Sequence, residues 1–352
     1  MQDYDSHAYL IMVIMAGDAQ AESMRFCCFV LLLAGCDGAA VEVLRPDSGR
    51  PPVVADAATD AGPPEASCLG SGGALEVMRV IDNNVVTDHG QLRTLDWAPN
   101  GQVAVSSTDG AIKLWTVEGD AAGGLRPGEP GYDAAFGEGT PMVTALAYAP
   151  GALWAGDETG RVVRYRTADF EPAAETALDG PVVALDAAGE RWVALTDRLT
   201  FDDGTEQVSP LTETRAVALD PLEGAWVAGQ LDGSAAIARV GEAVDTTTRP
   251  GAFSALAVDG ARVAAAGDAG LALRDADGLR VLSEVAASGV AFAPGGDALL
   301  SVEDGRVVAR DLDGAELSAV DLPGALDVRS LPGRDHAVAI DAASGIHVLG
   351  CR

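Results

Sequence analysis

The sequence predicts an all-β fold in which one short unit is repeated seven times, and three observations predict it. A pattern of apolar, two residues, apolar, one residue, apolar recurs as Leu92/Leu95/Trp97, Val143/Leu146/Tyr148, Val182/Leu185/Ala187, Ala216/Leu219/Pro221, Phe253/Leu256/Val258, Ala287/Val290/Phe292 and Ala325/Val328/Ser330. The central residues of successive copies stand 51, 39, 34, 37, 34 and 38 positions apart, close to the period of about 40 residues of a four-stranded blade. The last copy reaches Arg352 without an outer strand, and Leu75–Ile81, ahead of the first copy, can supply it. A strand taken from the other end of the chain removes the edge that an open array would expose. The expected fold is a seven-bladed β-propeller closed by an N-terminal strand and preceded by a signal peptide and a disordered linker.

The chain begins with what reads as an address. Met24 to Cys36 carries one positive charge at Arg25, a short apolar run from Phe26 to Leu33, and small residues before a cysteine. The run is too short to span a bilayer. It resembles a bacterial lipoprotein signal, and its Leu33-Ala34-Gly35-Cys36 box implies cleavage before Cys36 and lipidation of that cysteine. Residues 1–23 place Asp3, Asp5, Asp18 and Glu22 where a positive region belongs, so they are expected to be an upstream extension with Met24 as the start. The expected location is the bacterial cell envelope, lipid-anchored and extracytoplasmic or periplasmic. Residues 37–70 hold Pro46, Pro51, Pro52, Pro63 and Pro64 among Ala, Asp and Gly, with no sustained apolar period. Such a composition cannot bury enough surface to order itself, and the segment is expected to be a tether to a propeller over 71–352.

The first repeat runs from His89 to Trp115. Leu92, Leu95 and Trp97 have strand spacing, Pro99-Asn100-Gly101 is a turn, Val103–Ser107 is a second strand, Asp109-Gly110 turns again, and Ile112–Trp115 is a third. The segment resembles one WD repeat, with His89-Gly90 in place of Gly-His and Thr116 where Asp is usual. That resemblance implies a structural hydrogen-bonded tetrad of His89, Ser107, Asp109 and Trp115. In later copies Gly closes the second turn at Gly160, Gly233, Gly270, Gly305 and Gly345, and short segments such as Phe170–Leu178 and Glu316–Leu322 read as outer strands.

Outside the signal the cysteines are Cys68, just before the N-terminal strand, and Cys351, just after the last one. Antiparallel pairing of those strands brings the two thiols together, and export to an oxidising compartment favours a disulfide. Two thiols without nearby ligands disfavour a metal site, because His336 and His347 read as strand positions.

The composition bounds the partners. The chain has 352 residues, 53 acidic against 23 basic, a net charge of −30, and Lys113 as its one lysine. Such a surface repels phosphate backbones and anionic headgroups, which excludes nucleic acid. No phosphate loop, nucleophile elbow, metal-ligand spacing or Ser/His/Asp arrangement occurs, so no catalytic residue, metal or cofactor is assigned. Asp275-Ala276-Asp277-Gly278 and Asp311-Leu312-Asp313-Gly314 look like fragments of calcium loops, yet turn chemistry explains them. The favoured function is a monomeric scaffold for envelope proteins, held to the membrane through its lipid. The alternative is a propeller enzyme of lactonase, glycosidase or quinoprotein type working at the central channel. The link from Val117 to Pro141 is about a dozen residues longer than other blade connections, and its Tyr132 and Phe136 are candidate partner contacts.

Overall fold

The computed structural model describes residues 68–69, 72–82, 91–97, 101–108, 110–116, 121–125, 141–168, 170–222, 224–330 and 336–352. Among them 28 strands form seven four-stranded antiparallel sheets. The innermost strands, in blade order, are Leu92–Trp97, Val143–Ala149, Ala184–Ala188, Glu213–Asp220, Phe253–Asp259, Ala287–Phe292 and Ala325–Ser330. The fold is a seven-bladed β-propeller. In blades one to six the four strands follow in chain order, whereas blade seven takes Leu75–Asp82 as its outermost strand, paired antiparallel with Gly345–Cys351.

The i, i+3, i+5 spacing of the repeat has a physical cause. A strict strand repeats every two residues, but a β-bulge near the start of the innermost strand inserts one extra residue and restores the first apolar side chain to the same face. Such shifts fall between Leu92 and Thr94, Val143 and Ala145, Phe253 and Ala255, Ala287 and Val290, and Ala325 and Asp327. Blade four corrects the register expected from sequence. Its bulge lies between Thr214 and Ala216, so Thr214, Val217 and Leu219 occupy the repeat positions and Ala216 faces the other way. A threonine at the first position hid the true register.

The core lies between blades rather than within one sheet. Leu92, Leu95 and Trp97 pack with Val338, Ile340 and Val348 of blade seven, and Val143, Leu146 and Tyr148 with Ala104 and Leu114 of blade one. Each blade therefore presents its first, fourth and sixth repeat residues to the blade before it, and its third and fifth to the blade after it. The turns between second and third strands use left-handed backbone at Gly110, Gly160, Gly233, Gly270 and Gly305. In blade seven the left-handed residue is Ser344, with φ of 71°, and Gly345 is spared.

Candidate functional site

The fifth residue of the repeat points forward to the next blade at the centre of the ring. Four blades place alanine there, Ala147, Ala218, Ala257 and Ala291, whereas blades one, three and seven place Asp96, Asp186 and Arg329. An innermost strand has no partner on its inner edge, so its backbone N–H groups need acceptors. Asp96 Oδ2 accepts the Tyr148 N–H at 2.5 Å and Asp186 Oδ2 accepts the Leu219 N–H at 2.7 Å, two equivalent joints between blades one and two and between blades three and four. Arg329 Nη1 donates to Asp327 Oδ1 at 2.9 Å. Gly289 of blade six makes room for this pair, since a Cβ there would meet Asp327 Oδ1 at 2.7 Å.

Burial at the ring centre pushes the Asp96 carboxyl from 3.8 up to about 7, against the lowering effect of the Tyr148 N–H and of Arg329. Asp186 is pushed up to about 6, again by burial, with the Leu219 and Ala187 N–H groups and Arg329 opposing. Burial also raises Asp327, which Arg329 offsets in part. Burial works against the charge on Arg329 itself, but Asp327, Asp96 and Asp186 outweigh it and hold the guanidinium protonated. Its side chain keeps 32% exposure, toward the ring centre.

A second polar cluster sits in blade six. Arg310 holds the strand position that Trp115 has in blade one, and Glu303 that of Ser107. Glu303, 1% exposed, accepts Arg310 Nε at 3.0 Å and Nη2 at 2.7 Å, Ser301 Oγ at 2.6 Å and Ser283 Oγ at 3.2 Å. Burial raises the Glu303 carboxyl, but these four bonds together hold it below its usual value. The clasp joins the second and third strands of blade six to the end of blade five's outermost strand, Gly278–Ser283.

The sequence-predicted residues fall as follows. Cys68 and Cys351 come together as a disulfide with Cα atoms 5.9 Å apart. Ser107 is buried opposite Leu92, and Trp115, 4% exposed, is buried opposite Val103. Cys36, His89, Asp109, Tyr132 and Phe136 lie outside the described residues. Asp275 and Asp311 spend their Oδ1 atoms on the turn N–H groups of Asp277 and Asp313, and Asp311 also on that of Ala315. Among the described residues no group of three His, Cys, Asp or Glu could hold a metal. Asp96, Asp186 and Arg329 escaped the sequence reading, although each breaks the alanine at its repeat position.

One face of the ring is set by backbone bonds between the turns and the segments entering the blades. Thr108 N–H meets Gln91 O at 3.0 Å, Glu158 N–H meets Met142 O at 3.0 Å, and Ala342 N–H meets Gly324 O at 2.9 Å. On this face Val208 is 77% exposed, Val183 52%, Val285 46% and Leu326 36%. The turns of blades two to six add Glu158, Asp197, Asp232, Asp268 and Asp304, one carboxylate each.

No family model matches the chain, and no curated protein does. Solved structures do. The RRP9 WD40 repeats align with a TM-score of 0.65 and 13% identity over 79% of this chain and 98% of that one. The Myceliophteria thermophila Cps50 (Swd1) β-propeller domain aligns at 0.61 and 15%, over 78% and 99%. U3-55K aligns at 0.61 and 13%, over 82% and 100%. At such identities the likeness speaks for the fold, which is that of a WD40-like β-propeller.

Proposed function

We propose that this propeller is a protein-interaction scaffold whose partner docks on the face formed by the turns and the entry segments. The observation that carries the reading is that face: four exposed aliphatic side chains, Val183, Val208, Val285 and Leu326, set among carboxylates on a rigid ring. Asp96 and Asp186 are committed to backbone N–H groups of the next blade, and Glu303 to Arg310 in its own blade and to Ser283 of blade five. The WD40-like architecture supports a binding role without specifying it.

In this reading Cys36 carries the lipid, residues 37–67 are the tether, shortened from the expected 37–70 because Cys68 and Leu69 are packed on blade seven, the strand Leu75–Asp82 closes the ring in a bacterial envelope, and Tyr132 and Phe136 add contacts from the long link. A combined Val183→Ser, Val208→Ser, Val285→Ser, Leu326→Ser variant tests the face. Crosslinking in the envelope should capture a partner with the parent protein and lose it with the variant, at a nearly unchanged melting temperature. Equal capture by both proteins would refute the assignment. The raised carboxyls of Asp96 and Asp186 favour a second reading, an enzyme working at the ring centre. Asp96→Asn separates the two, because it leaves capture intact under the first and removes turnover under the second.

A further inference from the structure

Cys68, Leu69 and residues 72–77 form a strap over the edge of blade seven. Leu69 and Leu75 are 4% and 6% exposed and pack on Leu300, Ala337 and Leu349. Beside its short ladder with Leu349–Cys351, the backbone is held by Ala74 N–H to Arg352 O at 2.7 Å, Arg352 N–H to Ala74 O at 3.0 Å, and Leu75 N–H to Ser318 Oγ at 2.9 Å. Arg352 and Glu76 pair at 3.5 Å with both side chains open to water, which adds little. Between Leu69 and Ala74 the chain reads Gly-Ser-Gly-Gly. Glycine gains the most freedom when a segment is released, so this stretch opposes its own ordering. Gly73 is nonetheless required, since a Cβ would overlap both Cys68 Sγ and Cys351 Sγ.

A bulge at Met78 divides the strand. Leu75 to Val77 pair with Cys351 to Leu349, and Arg79 to Asp82 with Val348 to Gly345. The second half has its own anchor in Ile81, which is 5% exposed and packs with Trp97 and Val338. The first half has the disulfide.

We propose that the Cys68–Cys351 bond is a redox-sensitive strap: its reduction frees Cys68, Leu69 and residues 72–77, as far as the bulge at Met78, and uncovers an apolar groove floored by Leu300, Ala337 and Leu349. A dithiol reductant supplies both electrons and both protons. The Sγ–Sγ bond breaks to two thiols and the reductant leaves as its cyclic disulfide.

Hydrogen exchange on the whole protein, oxidised and after dithiothreitol, tests the strap. The amides of Gly350 and Arg352, which face Glu76 and Ala74, should lose protection by roughly tenfold or more on reduction, while 345–348 and the other six blades keep theirs. Iodoacetamide should label both freed thiols at the rate of exposed cysteine. A Cys68→Ser/Cys351→Ser variant should show the reduced pattern without reductant, which separates this bond from the cysteines at 27, 28 and 36. Unchanged protection at Gly350 and Arg352, thiols that stay shielded, or loss of protection across all seven blades would each overturn the proposal.

Discussion

Replacing Asp96 by asparagine should stabilise the protein most at pH 8 and progressively less toward pH 5, the effect vanishing only below the unfolded value of 3.8. The side-chain carbonyl of asparagine can still accept the Tyr148 N–H, so the variant removes the charge and keeps the joint between blades one and two. The Asp96 carboxyl moves from 3.8 to about 7 on folding, so the folded state binds the proton more tightly than the unfolded one. Between those values stability falls as pH rises, and the cost is fully present above pH 7. Three units at 1.36 kcal/mol give a ceiling of about 4 kcal/mol. Solvent at the ring centre and coupled titration with Asp186 reduce the working figure to about 1–3 kcal/mol. The acidic surface also self-repels as pH rises, so the slope of the parent protein alone does not isolate the effect. The difference between parent and variant does, measured by denaturant unfolding at pH 5, 6, 7 and 8. A variant that is less stable at pH 8, or that keeps the full pH slope of the parent, would refute the reasoning.

Glu303→Ala leaves the Arg310 guanidinium, 12% exposed, with only Gly314 O at 3.2 Å and Glu316 at 3.8 Å, and should cost about 3 kcal/mol in the same assay, the lower end for a broken buried pair. Gly267→Ala puts a Cβ onto the backbone of Ala252 and Phe253; backbone cannot rotate away, so a loss at the upper end of about 1–3 kcal/mol is expected from thermal unfolding. Cys36→Ser should move the protein from the membrane fraction to the soluble envelope fraction, and its retention on membranes would remove the anchor from the proposed function.

The number of blades, the strand type and most turns were legible in the amino-acid sequence because they depend on neighbours in the chain. Gly160 and Gly305 mark their turns because those sites need left-handed backbone, and the i, i+3, i+5 spacing marks an innermost strand because the bulge is local. Where one local signal was missing, at Thr214, the reading slipped by two residues. The ring centre could not be read this way. Asp96 finds its donor 52 residues away at Tyr148, and Asp186 finds its own 33 away at Leu219. Arg329 balances carboxylates from blades one and three as well as its neighbour Asp327. Those partners meet only when the ring closes, and a carboxylate's protonation depends on the burial and charges that closure brings. In the clasp of Glu303 only the bond from Ser283 of blade five has the same origin, since Arg310 stands across one hairpin of blade six. Local pattern determined the blades, and the stacking of blades decided which side chains became joints and which face was left to bind.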